Sequence, residues 1–279
     1  MTSPNFGYHL ARFYGSMVRR LYRFFLPFIV RRRIRPSRSI DLDVFAYSNE
    51  QNLPEQVASI RSFLRHAGRP RSFIVVSDGS HSGPSIRLLE RIDPSVSVEQ
   101  AKVSAPASSD KFRHYLETHP TGKQLGLIMN LPRGGPALYT DSDVLFFGGA
   151  SDLVDRLHEH DVPAYYLADC QFAGDERLLR DATEQQHPAN TGVLLLFRKL
   201  DWSLSLARFA ELEGDPTFFT NQTMTHLTMH QNLARPFDSI RYVLQLDDQF
   251  VFPDRYAGDK LALRHYVNPV RHKFWTSLR

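Results

Sequence analysis

The stretch Pro136-Ala137-Leu138-Tyr139-Thr140-Asp141-Ser142-Asp143-Val144-Leu145-Phe146-Phe147 decides how this 279-residue chain reads. Apolar residues on both sides of Asp141-Ser142-Asp143 have the pattern of a buried strand interrupted by two carboxylates. On extended chain, residues i and i+2 project to the same side, so both carboxylates reach one point. Two charges at the end of a buried strand are costly without compensation. A hard divalent cation such as Mn²⁺ or Mg²⁺ takes oxygen ligands of this kind and supplies that compensation. Asp141 and Asp143 are therefore candidate metal ligands. A second Asp-x-Asp, Asp41-Leu42-Asp43, precedes an earlier apolar run and reads as a solvated strand entrance.

Upstream, short apolar runs alternate with helical periodicity. Leu42–Tyr47 reads as a strand, Leu53–His66 as a helix, and Ser72–Val76 as a β-branched strand ending in the turn Ser77-Asp78-Gly79-Ser80. Pro84 suits the start of the next helix. Beyond Asp110 the chain reads as helical, and so does Gly122–Leu131. Tyr165–Ala168 and Thr191–Phe197 read as strands, Phe218–Asn232 as a helix, and Leu261–Val267 as a late extended segment. Alternation of this kind specifies an α/β domain with a largely parallel sheet. Ligands of such sheets lie beyond the carboxyl ends of the strands, so the turns after Tyr47 and Val76 should face a pocket.

Near the carboxyl terminus stands His265-Tyr266-Val267-Asn268-Pro269-Val270-Arg271-His272-Lys273-Phe274-Trp275. A neutral imidazole can supply a third metal ligand. Arginine offers a planar fork to phosphate oxygens and lysine a point charge. The same segment also reads as a basic, aromatic tail packed on the surface.

Four segments, in order, resemble the retaining GT-A glycosyltransferases of family 8, the group of bacterial lipopolysaccharide galactosyl- and glucosyltransferases and of glycogenin. Asp141-Ser142-Asp143 resembles the family's metal-binding Asp-x-Asp, and Ala168-Asp169 a strand end whose aspartate faces the donor sugar. Asn190-Thr191-Gly192 resembles its Asn-x-Gly strand. The segment from His265 resembles its terminal motif, in which histidine binds metal and lysine binds diphosphate. The resemblance implies a GT-A fold, a mixed sheet flanked by helices, and transfer of a hexose with retention. The donor would be a nucleotide diphosphate sugar, UDP-linked, and the acceptor a hydroxyl of a glycan or glycolipid. It implies Asp141, Asp143 and His265 as ligands of Mn²⁺ or Mg²⁺, and Gln222 and Asp169 at the reacting face. Tyr47, Asp78, Lys123, Asp141, Ser142, Asn190 and Lys273 would hold the donor, although Asp78 equally suits a turn cap. Two departures stand out: Asn221-Gln222 where the family has Asp-Gln, and Asn268 where it has glycine. An inverting GT-A enzyme and a catalytically silent membrane adaptor of the same fold are the alternative readings. A nucleotidyltransferase would need a glycine-rich basic loop, and Tyr47–Pro54 has neither glycine nor lysine.

The net charge of +4 is unevenly distributed. Residues 1–40 hold nine arginines and no acid, which leaves the rest of the chain at −5. A nucleic-acid-binding body would carry its positive charge in the folded domain, so no nucleic-acid partner is expected. In residues 1–38, Leu10, Phe13, Tyr14, Met17, Val18, Leu21, Tyr22, Phe25, Phe28 and Ile29 recur at helical spacing, with Arg12, Ser16, Arg19, Arg20 and Arg23 opposite. Pro27 should kink or end this helix near Arg23. The arm suits a helix lying on an anionic membrane through residues 8–35, or one packed on its own domain or a partner chain. Its apolar run is too short to span a bilayer, and it lacks a signal-cleavage pattern. With one cysteine, Cys170, no internal disulfide forms. The expected organisation is an amphipathic arm over 1–38 and a GT-A domain over 39–279, cytoplasmic and peripheral on the cytosolic face of a membrane.

Overall fold

A computed structural model describes residues 5–101, 109–159 and 161–278, so the outermost ends of both expected segments, 1–4 and 279, lie outside the described residues. The elements in chain order are α1 (Phe6–Ile29), β1 (Ser39–Ser48), α2 (Leu53–His66), β2 (Arg69–Ser77), α3 (Gly83–Glu90), β3 (Val96–Gln100), α4 (Asp110–Thr118) and α5 (Pro120–Met129). Then come β4 (Ala137–Thr140), β5 (Val144–Phe146), α6 (Asp152–Arg156), β6 (Ala164–Ala168), β7 (Ala189–Leu196), α7 (Ser203–Ala210) and α8 (Thr220–Gln231). The chain closes with β8 (Arg235–Pro236), β9 (Tyr242–Val243), β10 (Leu263–His265) and a 3₁₀ turn, Arg271–Trp275.

Seven strands form one sheet in the order β3-β2-β1-β4-β7-β6-β8. β3, β2, β1 and β4 run parallel, whereas β7 is antiparallel to both β4 and β6. The largely parallel sheet expected from the alternation is therefore mixed, as the family resemblance implied. Strand alternation puts Leu42, Val44 and Ala46 of β1 on one face, against Val57, Ile60, Phe63 and Leu64 of α2. Phe45 points to the other face and joins Leu125 and Ile128 of α5 and Met224 of α8. β3 had no clear strand signal in the sequence; it pairs with β2 from Phe73↔Val96 to Ser77↔Gln100. Asp41 and Asp43 both pair with Arg71, in keeping with a strand entrance.

A second sheet, β5-β10-β9, lies beside the first. β4 and β5 are nearly consecutive in sequence yet belong to different sheets. Asp141-Ser142-Asp143 is the crossing between them, and the antiparallel pairing His265↔Val144 brings the end of β10 to that crossing.

α1 is an uninterrupted helix to Ile29, so Pro27 does not end it at Arg23. The amide of Val30 resumes the helical pattern by donating to the Leu26 carbonyl at 3.0 Å. Burial of Leu26 and Val30 in the core holds the helix through the missing bond. Ala11, Gly15 and Leu26 face the body, and Tyr22 packs against Trp275 with ring centroids 5.2 Å apart. A Cβ on Gly15 would meet the His272 carbonyl oxygen at 2.4 Å, so only glycine allows this approach. Phe6, Leu10, Phe13, Met17, Leu21, Phe24 and Phe28 form a second stripe that remains exposed. α1 thus packs on its own domain along one side and leaves an apolar face uncovered on another. Among the described residues, no helix is long and apolar enough to cross a membrane.

Candidate active site

Asp141, Asp143 and His265 each offer a ligand atom, and these atoms all lie within 4.8 Å of one another. His265 Nε2 is 3.2 Å from Asp143 Oδ1 and 3.6 Å from Asp141 Oδ2. The imidazole is fixed from behind, because its Nδ1 lies 3.0 Å from Asn190 Oδ1. An amide oxygen can only accept, so Nδ1 carries a proton, and Nε2 faces the carboxylates, where it donates to Asp143 when protonated or offers its lone pair to a cation when neutral. The ring fits there because residue 192 is glycine: a Cβ would stand 2.1 Å from His265 Cε1. The spacing of Asn190 and Gly192 is thereby explained, since one orients the imidazole and the other makes room for it. Two carboxylates and an oriented imidazole are a donor set suited to a small divalent cation.

Asp141 is held equally firmly. Its Oδ1 accepts from the Tyr139 hydroxyl at 2.7 Å and from Gln124 Nε2 at 3.0 Å, which leaves Oδ2 for the metal position. Asn221 Nδ2 donates to Gln124 Oε1 at 2.9 Å and so ties α8 to the same carboxylate. Asn221, the departure from the family's aspartate, is thus a donor to Gln124. Burial pushes the Asp141 carboxyl above its ordinary range, opposed by His265. Burial acts the same way on Asp143, but His265 and then Arg271 outweigh it and hold that carboxyl low. Burial disfavours charge on His265, yet Asp143 and Asp141 prevail and raise its pKa.

Asp169 and Gln222 meet beside this group. Asn190 Nδ2 donates to Asp169 Oδ2 at 2.9 Å, and Gln222 Nε2 donates to the same oxygen at 3.2 Å. With its amide nitrogen so engaged, Gln222 keeps Oε1 as a free acceptor. Asp169, Asn190 and His265 form one relay ending at Asp143. α8, which carries Gln222, reads as polar, yet nearly all of it is buried. Several of its hydroxyls are satisfied internally: Thr223 accepts from the Asp175 amide at 2.7 Å, and Thr228 pairs with Ser205 at 2.9 Å.

The other expected residues divide. Ser142 is buried within the crossing. Tyr47 and Asp78 stand together at the ends of β1 and β2; burial, then Asp78, raises the tyrosine pKa, and its buried hydroxyl has no hydrogen-bond partner among the described residues. Asp78 Oδ1 accepts from the Ser80 amide at 2.8 Å, so it does cap its turn. Lys123 is not at the metal centre. It lines a separate cleft with Val76, Glu99, Arg133 and Lys199, while its neighbour Gln124 faces Asp141. Lys273 is not there either: its ammonium is buried, donates to the Val251 and Pro253 carbonyls at 2.6 and 3.1 Å, and pairs with Asp248. Arg271 holds the open position instead, 3.6 Å from Asp143 and 3.2 Å from Asn52 Oδ1. Sequence reasoning missed Tyr139 and Gln124, and it named Lys273 rather than Arg271 among the donor-holding residues. The i, i+2 relation of Tyr139 to Asp141 was a usable signal; nothing local marks Gln124.

No protein-family model and no curated protein sequence matches the chain. Solved structures do. The galactosyltransferase LgtC, in complex with donor and acceptor sugar analogs, superposes with a TM-score of 0.56 at 16% identity, covering 81% of this chain and 87% of that one. Mouse xyloside xylosyltransferase 1 gives 0.56 at 13% identity, over 84% and 99% of the two chains. The glycosyltransferase GlyE of Streptococcus pneumoniae gives 0.52 at 15%, over 86% and 60%. The fold is that of the GT-A glycosyltransferases. Within it, the Asp-x-Asp crossing and the Asn-x-Gly strand of this GT-A chain occupy the edge where the parallel strands end, the position expected for a ligand site.

Proposed function

We propose that this chain transfers a hexose from a nucleotide diphosphate sugar, UDP-linked, to a hydroxyl of a glycan or glycolipid, with retention and with a divalent cation. The observation that carries this reading is the convergence of Asp141, Asp143 and a pre-oriented His265 on one point of a GT-A sheet. A bound Mn²⁺ or Mg²⁺ supplies Lewis-acid stabilisation of the departing diphosphate. Arg271 adds a guanidinium on the same side, at the place the sequence suggested for Lys273. Tyr47 and Asp78 suit the nucleoside. Asn190 and Asp169 suit sugar hydroxyls and hold each other in place.

The step breaks the bond from the anomeric carbon to diphosphate oxygen, and the electron pair leaves with the diphosphate. The acceptor oxygen forms the new bond, and its proton passes to the departing phosphate oxygen. The sugar carbon becomes oxocarbenium-like, and Gln222 Oε1, freed by the bond from its Nε2 to Asp169, suits stabilising that charge. Retention comes from the family resemblance alone. The uncovered aromatic stripe of α1, flanked by Arg20 and Arg31, supports residence on an anionic cytosolic membrane surface, where a lipid-linked acceptor would be met.

A panel of UDP-sugars assayed for Mn²⁺-dependent hydrolysis tests the proposal. Turnover of one sugar, lost in Asp143→Ala and with chelator, is expected. No hydrolysis of, and no metal-dependent affinity for, any nucleotide sugar would favour the silent adaptor.

A further inference from the structure

A cavity of about 810 Å³ lies between α1, the start of α2 and the closing 3₁₀ turn. α1 contributes Arg12, Arg19 and Arg23, one row along the helix, and the turn contributes Arg271 and His272. The single carboxylate among the lining residues is Glu55. It is already neutralised by Arg19, whose Nη2 lies 3.0 Å from Oε2 while Nε grips Oε1. Among the described residues, neither Arg12 nor Arg23 has an ion-pair partner, and the guanidinium of Arg12 rests only on Tyr8, 5.4 Å from the ring centroid. His272 adds a buried Nε2 with no hydrogen-bond partner. Arg19 faces Glu55 and Arg271 faces Asp143, so the guanidiniums of Arg12 and Arg23 are the ones that an added anion would neutralise. Planar forks at several angles match a tetrahedral oxyanion better than a flat carboxylate does.

We propose that this cavity is a binding site for a phosphate ester or diphosphate, held by Arg12, Arg23 and Arg271. Arg271 is shared: it lines the cavity and also lies 3.6 Å from Asp143. The phosphate comes from solution rather than from a bilayer. At 100° per residue the row of Arg12, Arg19 and Arg23 is turned about 140° from the middle of the exposed apolar stripe of α1. A membrane resting on that stripe would not reach the cavity. The ligand is then either the donor's own diphosphate or a phosphate carried by the acceptor. The site needs no divalent ion, so it goes beyond the proposed metal-dependent transfer and can fail independently of it.

The full chain is titrated with inorganic pyrophosphate in chelator by calorimetry. Wild type should bind, and Arg12→Gln/Arg23→Gln should weaken binding at least tenfold with an unchanged thermal midpoint. Arg20→Gln/Arg31→Gln, which removes the same charge from outside the cavity, should bind as wild type. Asp143→Asn should not weaken metal-free binding, which separates this site from the metal assignment. Displacement of pyrophosphate by UDP with Mn²⁺ assigns the ligand to the donor, whereas simultaneous binding assigns it to the acceptor. Displacement by vesicles containing phosphatidic acid, with UDP having no effect, would overturn the solution source. Absence of metal-free binding, or equal losses in the two double variants, would overturn the site itself.

Discussion

Arg271 and Lys273 stand two residues apart in the closing turn and should fail in opposite ways when truncated. Arg271 keeps 37% of its side-chain surface, a loose approach to Asp143 and one bond to Asn52 Oδ1. Its loss leaves Asp143 still paired with His265 at 3.2 Å. A charge-assisted contact to a diphosphate contributes roughly 1.5–3 kcal/mol, so Arg271→Ala should weaken UDP affinity by about one to two decades. Stability should change by less than about 0.5 kcal/mol, as for a surface substitution. Lys273 has 2% of its side chain exposed, and its partner Asp248 has none. Lys273→Met removes one member of a buried cluster and two bonds to the Val251 and Pro253 carbonyls. Breaking such a pair costs about 3–5 kcal/mol, a large part of the stability of a domain. Urea unfolding and UDP–Mn²⁺ calorimetry on both variants provide the test. A Lys273→Met protein that unfolds like wild type but has lost UDP would refute the assignment and return the diphosphate contact to the lysine.

Asn190→Ala should lower Mn²⁺ affinity in the presence of UDP by about 10–100-fold, because His265 Nδ1 loses the acceptor that fixes its tautomer; equal affinity by calorimetry would remove Asn190 from the metal support. Gln222→Ala should depress turnover far more than donor affinity, and a raised KM at constant kcat would make it a binding residue only. Asp248 sits against Arg264, and although burial opposes its ionisation the guanidinium holds its carboxyl below the ordinary range. A depressed folded-state pKa contributes stability above the unfolded value near 4 that is lost as pH falls through the folded value. Asp248→Asn should therefore lower stability at neutral pH and flatten its acid dependence below about pH 4; a parallel curve in acid unfolding would contradict this. Replacing Phe13, Phe24 and Phe28 together by Gln should reduce sedimentation with anionic vesicles while leaving the thermal midpoint in place, since these rings are 68%, 74% and 61% exposed; unchanged sedimentation would exclude the stripe as the contact.

The local pattern determined a good deal. The short apolar runs Leu42–Tyr47 and Ser72–Val76, alternating with helices, specified parallel strands because each buries both faces under helices. Spacing i, i+2 put Asp141 and Asp143 on one side. These are short-range properties of the backbone, and they are written in neighbouring residues. What only the tertiary structure decided depends on groups far apart in the chain. Whether Arg271 or Lys273 faces the site follows from the tight closing turn, which packs one inward against Asp248 and leaves the other beside Asp143. That Gln124 steadies Asp141, and that Asn221 steadies Gln124, follows from the packing of α5 and α8 on one sheet face. The helical period of α1 gave both an apolar and a basic side. Docking on Trp275 selected which apolar residues are covered, left the aromatic stripe free, and turned the arginine row over a cavity, because Gly15 lets the helix meet the His272 carbonyl.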